Sequence, residues 1–122
     1  MDSTLYRKVG GKETVEKAAK ILYVNIIRDD RLKRFFEGTD MQKQERMMSG
    51  FLTNILGGPS LYTGKNMRRA HADSVKDGLS DEHVNAMMEC VSAALREAKV
   101  EPDLITEVIA VVEKHRDDVL GR

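Results

Sequence analysis

The chain has little of what marks several protein classes. Its 122 residues include one cysteine, Cys90, and no tryptophan. A single cysteine cannot close a disulfide within the chain or supply a cysteine-rich metal site, so a reducing compartment is the default. Net charge is missing too, because 20 Lys and Arg stand against 20 Asp and Glu. A balanced chain has no general attraction to nucleic acid or to an anionic membrane, which a basic excess would supply. No apolar run approaches the roughly 20 residues needed to cross a bilayer. The opening Met1-Asp2-Ser3-Thr4 lacks the basic start and apolar stretch of a signal peptide. The expectation is one cytoplasmic domain over residues 1–122, acting as a monomer without nucleic acid or membrane.

What is present is a helical period. From Glu13 to Arg28 the apolar positions Val15, Ala18, Ala19, Leu22 and Ile26 recur at three- and four-residue steps, making one buried stripe. Gly10-Gly11 gives that helix a flexible entry. Asp29 to Phe36 is too short for another long helix, and Gly38 ends it. Asp40 then suits an N-cap for a helix from Met41 to Leu56, with Met41, Gln44, Met48, Phe51, Leu52 and Ile55 on one face. Gly57-Gly58-Pro59 stops it. Residues 60–64 read as loop, and Asn66 can cap a short helix containing His71.

Ser80 can cap a helix from Asp81 to Glu97, whose stripe is Val84, Met87, Met88, Val91 and Leu95. Pro102 suits the first turn of a last helix, with Leu104, Ile105, Val108, Ile109, Val112 and Val119 facing inward. No strand, internal repeat or interdomain linker is visible. The pattern predicts an all-α domain of four principal helices plus short pieces. The segment around His71 stands apart, since it is rich in cations (Lys65, Arg68, Arg69) and brings little core of its own. A cofactor packed against it would account for it.

Four motifs sharpen this reading: Leu5-Tyr6-Arg7-Lys8-Val9-Gly10-Gly11; Arg34-Phe35-Phe36-Glu37-Gly38-Thr39-Asp40-Met41; Leu56-Gly57-Gly58-Pro59; and Gly64-Lys65-Asn66-Met67-Arg68-Arg69-Ala70-His71. In this order and spacing they resemble the group I truncated haemoglobins over nearly the whole chain. The resemblance implies a truncated globin fold, a two-over-two helical sandwich around haem b. His71, His83 and His115 form no closely spaced metal pair of the kind zinc requires. Haem needs only one imidazole, because the porphyrin supplies four nitrogens, and His71 matches the family's proximal iron ligand.

The resemblance also assigns the pocket. Phe36 matches the aromatic that packs on the porphyrin, and Tyr23 the tyrosine that donates a hydrogen bond to bound gas. Gln44 supplies a second donor. Met48 replaces the glutamine often found at its place, which makes the pocket more apolar, and Met47 stands where some cyanobacterial relatives carry an iron-binding histidine. Phe51 and Leu52 are expected near the haem. Tyr62, Lys65 and Arg68 are expected at its propionates. His115 matches a histidine that in a few relatives bonds covalently to a haem vinyl group; its other reading is a helix-end histidine offsetting the helix dipole. His83 is expected to do no more than pack or meet solvent.

The function so implied is binding of oxygen and other diatomic gases at a His-ligated iron. Its reactive version is nitric oxide dioxygenation to nitrate, with an outside reductase restoring ferrous iron. The alternative is a haem-based gas sensor or electron-transfer protein without turnover.

Overall fold

A computed structural model describes residues 4–38, 40–58, 76 and 78–121. The described elements are α1 (Leu5–Val9), α2 (Gly11–Arg28), a 3₁₀ turn (Lys33–Phe36), α3 (Met41–Ile55), α4 (Asp81–Glu97), α5 (Pro102–Lys114) and α6 (Arg116–Leu120). No strand occurs among the described residues. The architecture is all-α, as the periodicity predicts.

Helix α2 is the centre of the packing. Its buried side, Val15, Ala18, Ala19, Leu22, Tyr23 and Ile26, carries the stripe read from the sequence with Tyr23 added. Helices α3 and α4 both lie against it. Ala18 and Ala19 are fully buried, as are Ala86 and Ala94 on α4. Side chains this small allow backbones to approach closely, while Leu22, Ile26, Leu52, Leu95 and Val108 fill the space between.

The helix ends follow local chemistry. Asp40 caps α3 by accepting the Lys43 N–H on Oδ1 at 3.1 Å. At its far end the Gly58 N–H reaches the Thr53 carbonyl at 2.9 Å, and the Tyr6 N–H of α1 reaches the Leu56 carbonyl at 2.9 Å. Gly58 is required here, since a Cβ would lie 2.6 Å from the Tyr6 ring. Gly10 separates α1 from α2 at φ 122°, where a side chain would be strained and would also collide with Thr14. The short α1, absent from the periodicity reading, is thereby docked on the end of α3.

Two features depart from expectation. The last helix is broken: α5 ends at Lys114 and α6 starts at Arg116, with His115 at φ −96° and ψ 0° between them. Val119 therefore sits on a separate helix rather than on the stripe of α5. At the turn between α4 and α5, Lys99 is left-handed at φ 66°, a conformation usually reserved for glycine.

An ionic strap ties the end of α2 to α4. The Arg31 guanidinium donates to Asp29 Oδ2 at 2.8 Å and to Glu89 Oε2 at 2.7 Å. The Arg31 hydrogen bonds hold the Asp29 carboxyl below the usual carboxylate range. Beside Glu89, Cys90 faces the core, and burial pushes its thiol pKa up. A protonated, enclosed thiol is a poor nucleophile. No helix among the described residues is long and apolar enough to cross a membrane.

Candidate functional site

The 3₁₀ turn and helices α3, α4, α5 and α6 enclose a cleft of about 1120 Å³, counting its solvent-facing mouth. Among the described residues its wall is Leu32, Phe35 and Phe36 from the turn region, and Gln44, Met47, Met48 and Phe51 from α3. Leu79, His83, Val84 and Met87 line it from the start of α4, with Val112, Arg116 and Val119 opposite. The wall is mainly apolar with three polar residues, Gln44, His83 and Arg116. Such a surface suits a flat apolar ligand with a few oriented polar contacts.

The periodicity of α3 explains its share of the wall. Gln44, Met47, Met48 and Phe51 are spaced at one face of a helix, and Asp40 fixes where that helix starts. Leu52, expected near the haem, is instead 1% exposed in the core cluster and forms no part of the cleft wall. One residue along the helix turns a side chain by about 100°, enough to move it from cleft to core.

Tyr23 lies behind Phe36. Their rings meet edge to face, with centroids 6.2 Å apart and planes at 87°. Tyr23 is 4% exposed, yet its hydroxyl makes no hydrogen bond with any described residue. Among the described residues the buried side-chain polar atom left without a partner is Asn25 Nδ2, not the Tyr23 hydroxyl, which keeps its donor uncommitted. Gln44 is half-buried on the cleft wall, and its side-chain amide likewise bonds no described residue.

His115 stands at the α5–α6 corner, half-buried and outside the cleft wall, although Arg116 and Val119 beside it belong to that wall. Its Nδ1 lies 2.9 Å from the Val111 carbonyl oxygen. A carbonyl can only accept, so Nδ1 carries the hydrogen and a neutral ring leaves Nε2 unprotonated. His71, Tyr62, Lys65 and Arg68 lie outside the described residues.

The sequence reading missed two of the three polar residues of this wall, His83 and Arg116, as well as much of its apolar lining. His83 does more than pack or meet solvent: its Nδ1 accepts the Ser80 N–H at 3.0 Å, closing the cap of α4. Its ring also meets Phe35 edge-on at 5.0 Å, and the Arg34 guanidinium covers the Phe35 ring at 4.1 Å. The signal was the Ser80-x-x-His83 spacing, a capping box with imidazole in place of the usual carboxylate or amide. For Arg116 the spacing offered only the i,i+3 pair with Glu113, while its tie to α4 runs to Asp81 and Asn85, 35 and 31 residues away.

Helices packed around a mainly apolar cleft, with no strand among the described residues, suit a globin that encloses haem. The model of the bacterial-like globin family matches residues 4–120. The group 1 truncated haemoglobin of Synechocystis sp. (strain ATCC 27184 / PCC 6803 / Kazusa) is 43% identical over 98% of this chain and 99% of its own length. That of Tetrahymena pyriformis is 39% identical, over 98% of this chain and 96% of its own. Among solved structures, the 2/2 haemoglobin of Synechococcus sp. PCC 7002, in the cyanomet state with covalently attached haem, superposes with a TM-score of 0.89. It is 41% identical and covers 98% of this chain and 100% of its own. The ferric truncated haemoglobin of Tetrahymena pyriformis gives 0.88 at 38% identity, covering 98% of this chain and 100% of its own. The chain belongs to the bacterial-like globin family, and within it to the group 1 truncated haemoglobins of the two-over-two type.

Proposed function

We propose that the chain binds haem b through His71 and uses it to bind oxygen and related diatomic gases. The observation that carries this reading is the mainly apolar cleft that presents the Gln44 amide and the Phe36 ring, with Tyr23 packed edge to face behind Phe36. The kinship with haem-containing two-over-two globins supports it. Bound haem supplies an iron whose open face takes a diatomic ligand. The protein's part is to orient, to donate and to keep water out. Tyr23 and Gln44 each hold a hydrogen-bond donor for the outer atom of the gas, where negative charge collects. Phe36 is fixed by the Tyr23 ring and offers a flat face for the macrocycle. Met47, Met48 and Phe51 leave that side of the cleft with weakly polar or apolar surface. Tyr62, Lys65 and Arg68 are assigned to the propionates.

The reaction we assign is consumption of nitric oxide with oxygen to give nitrate. It leaves the iron one electron short, and a separate reductase returns that electron. The working form is taken as a cytoplasmic monomer.

His115 provides a second attachment. With the hydrogen on Nδ1 and held by Val111, its Nε2 has the free lone pair needed to add across a vinyl double bond. With haem bound, His115 Nε2 would be the atom to add to a vinyl carbon, the other carbon taking a proton from solvent and the ring becoming an imidazolium. The covalently attached haem of the Synechococcus protein supports this assignment.

One set of absorption spectra tests the reading. Wild-type protein given haem should show a strong Soret band in the ferric, ferrous and oxygenated states, and His71→Ala should lose haem affinity and change all three. Unchanged spectra and affinity in His71→Ala would remove His71 as the ligand. In the same series Tyr23→Phe should release oxygen roughly tenfold faster or more, the worth of one enclosed hydrogen bond. Nitric oxide mixed with the oxygenated form separates the reaction from simple gas sensing, since very slow nitrate formation would count against a dioxygenase. Acidified organic solvent should leave haem on wild-type protein but strip it from His115→Ala.

A further inference from the structure

We propose that Arg116 is a positioning residue that sets the seat of the haem by clamping the α5–α6 corner to the start of α4. The inference rests on the haem-binding reading above. The broken last helix creates the need for it. Helix α6 has five residues, too few to persist by its own hydrogen bonds. It nevertheless carries Val119 into the cleft wall, opposite Val84 and Met87 of α4. Something must hold these two walls at a fixed separation.

Arg116 spans that separation with every donor it has. Its Nε donates to Glu113 Oε2 at 2.9 Å. Nη1 donates to Asp81 Oδ1 at 2.9 Å and to the Asp81 carbonyl at 3.3 Å. Nη2 donates to Asn85 Oδ1 at 2.6 Å and lies 2.8 Å from Glu113 Oε2. Asp81 and Asn85 are one turn apart on α4, and Glu113 precedes Arg116 across the corner. The guanidinium thus joins three helices at the cleft, and its side chain is only 15% exposed.

This geometry also decides what Arg116 does not do. A cation at the edge of a haem cleft would ordinarily be read as a partner for a propionate. Here every guanidinium nitrogen donates to a protein acceptor, and the carboxylates of Asp81 and Glu113 balance the charge. The residue acts on the cofactor through the shape of the cleft. Lysine could not replace it, since an ammonium has three donors and no planar fork.

The test uses ferric, haem-loaded protein with three measurements. These are the rate of haem transfer to an excess of a haem-scavenging apoglobin, the ratio of the two haem orientations in proton NMR, and urea unfolding of the apoprotein. Arg116→Ala should speed haem transfer roughly threefold to tenfold, the worth of a partly screened charge-assisted cluster. Arg116→Lys should show most of the same acceleration, and both should shift the orientation ratio. The exchanged pair Asp81→Arg with Arg116→Asp should move both haem readouts back toward wild type. Should Arg116→Ala not fold, Asp81→Asn, which leaves the cation with Glu113, reads the same quantities. A transfer rate within twofold of wild type and an unchanged orientation ratio, with only urea stability altered, would overturn the proposal. Wild-type protein that takes up no haem overturns the haem reading and this one together, whereas loaded wild type with indifferent variants overturns this one alone.

Discussion

Asp29 shows how a side chain two residues from its partner can govern behaviour in acid. Its carboxylate receives the Arg31 backbone N–H at 2.8 Å as well as the guanidinium, and its pKa lies below the unfolded value of 3.8. A carboxyl whose folded pKa is depressed contributes stability that is complete above the unfolded pKa and is lost as the pH falls through the folded one. Asp29→Asn should therefore lower stability at neutral pH and leave it unchanged well below pH 3.8. Urea melts of both proteins across that range check this, and equal offsets at all pH values would contradict it. Legibility at this scale was uneven. Tyr23, Phe36 and Gln44 could be named because family motifs fix their positions. Helical spacing alone does not separate Leu52, which lies in the core cluster, from Phe51 on the cleft wall, because the border between cleft and core falls within one face.

Elements were the most readable level, and their ends the least. The stripes of α2, α3 and α4 gave each helix and its buried side, since a period of 3.6 residues is imposed by the backbone itself. The break at His115 was invisible because no glycine or proline marks it and the apolar spacing runs on to Val119. Lys99 was equally silent. It occupies the left-handed position after α4, where the Val100 N–H returns to the Leu95 carbonyl at 3.0 Å. An L-residue pays a steric penalty there that glycine avoids, although glycine also gains freedom in the unfolded chain. The balance favours Lys99→Gly by about 0.5–1 kcal/mol. Thermal or chemical unfolding should show a higher midpoint, and a lower one would mean that the lysine side chain contributes contacts outweighing the strain.

At the scale of the whole molecule, haem and fold are linked. The cleft wall draws on residues from Leu32 to Val119, so an apoprotein leaves a large part of its apolar interior facing water. Any ligand that binds only the folded chain adds stability, by about 1.4 kcal/mol for each tenfold excess over its dissociation constant. Extracting haem should lower the unfolding midpoint and broaden the transition, and returning it should restore both. Identical melting with and without haem would contradict this linkage. The sequence foretold the fold and the cofactor, yet not the shape of the cleft, because contacts such as Arg116 to Asp81 join parts of the chain that no local pattern connects.

The late position of Arg116 and Val119 has a consequence for how the molecule is made. Chains leave the ribosome from the N-terminus, and earlier helices can begin to fold before later ones exist. Helices α2 and α3 already have each other, but one wall of the cleft comes from Val112, Arg116 and Val119, which are made long after them. Until those residues have emerged, the cleft lacks one of its walls. The enclosed seat for haem thus forms after the pairing of α2 with α3 rather than with it.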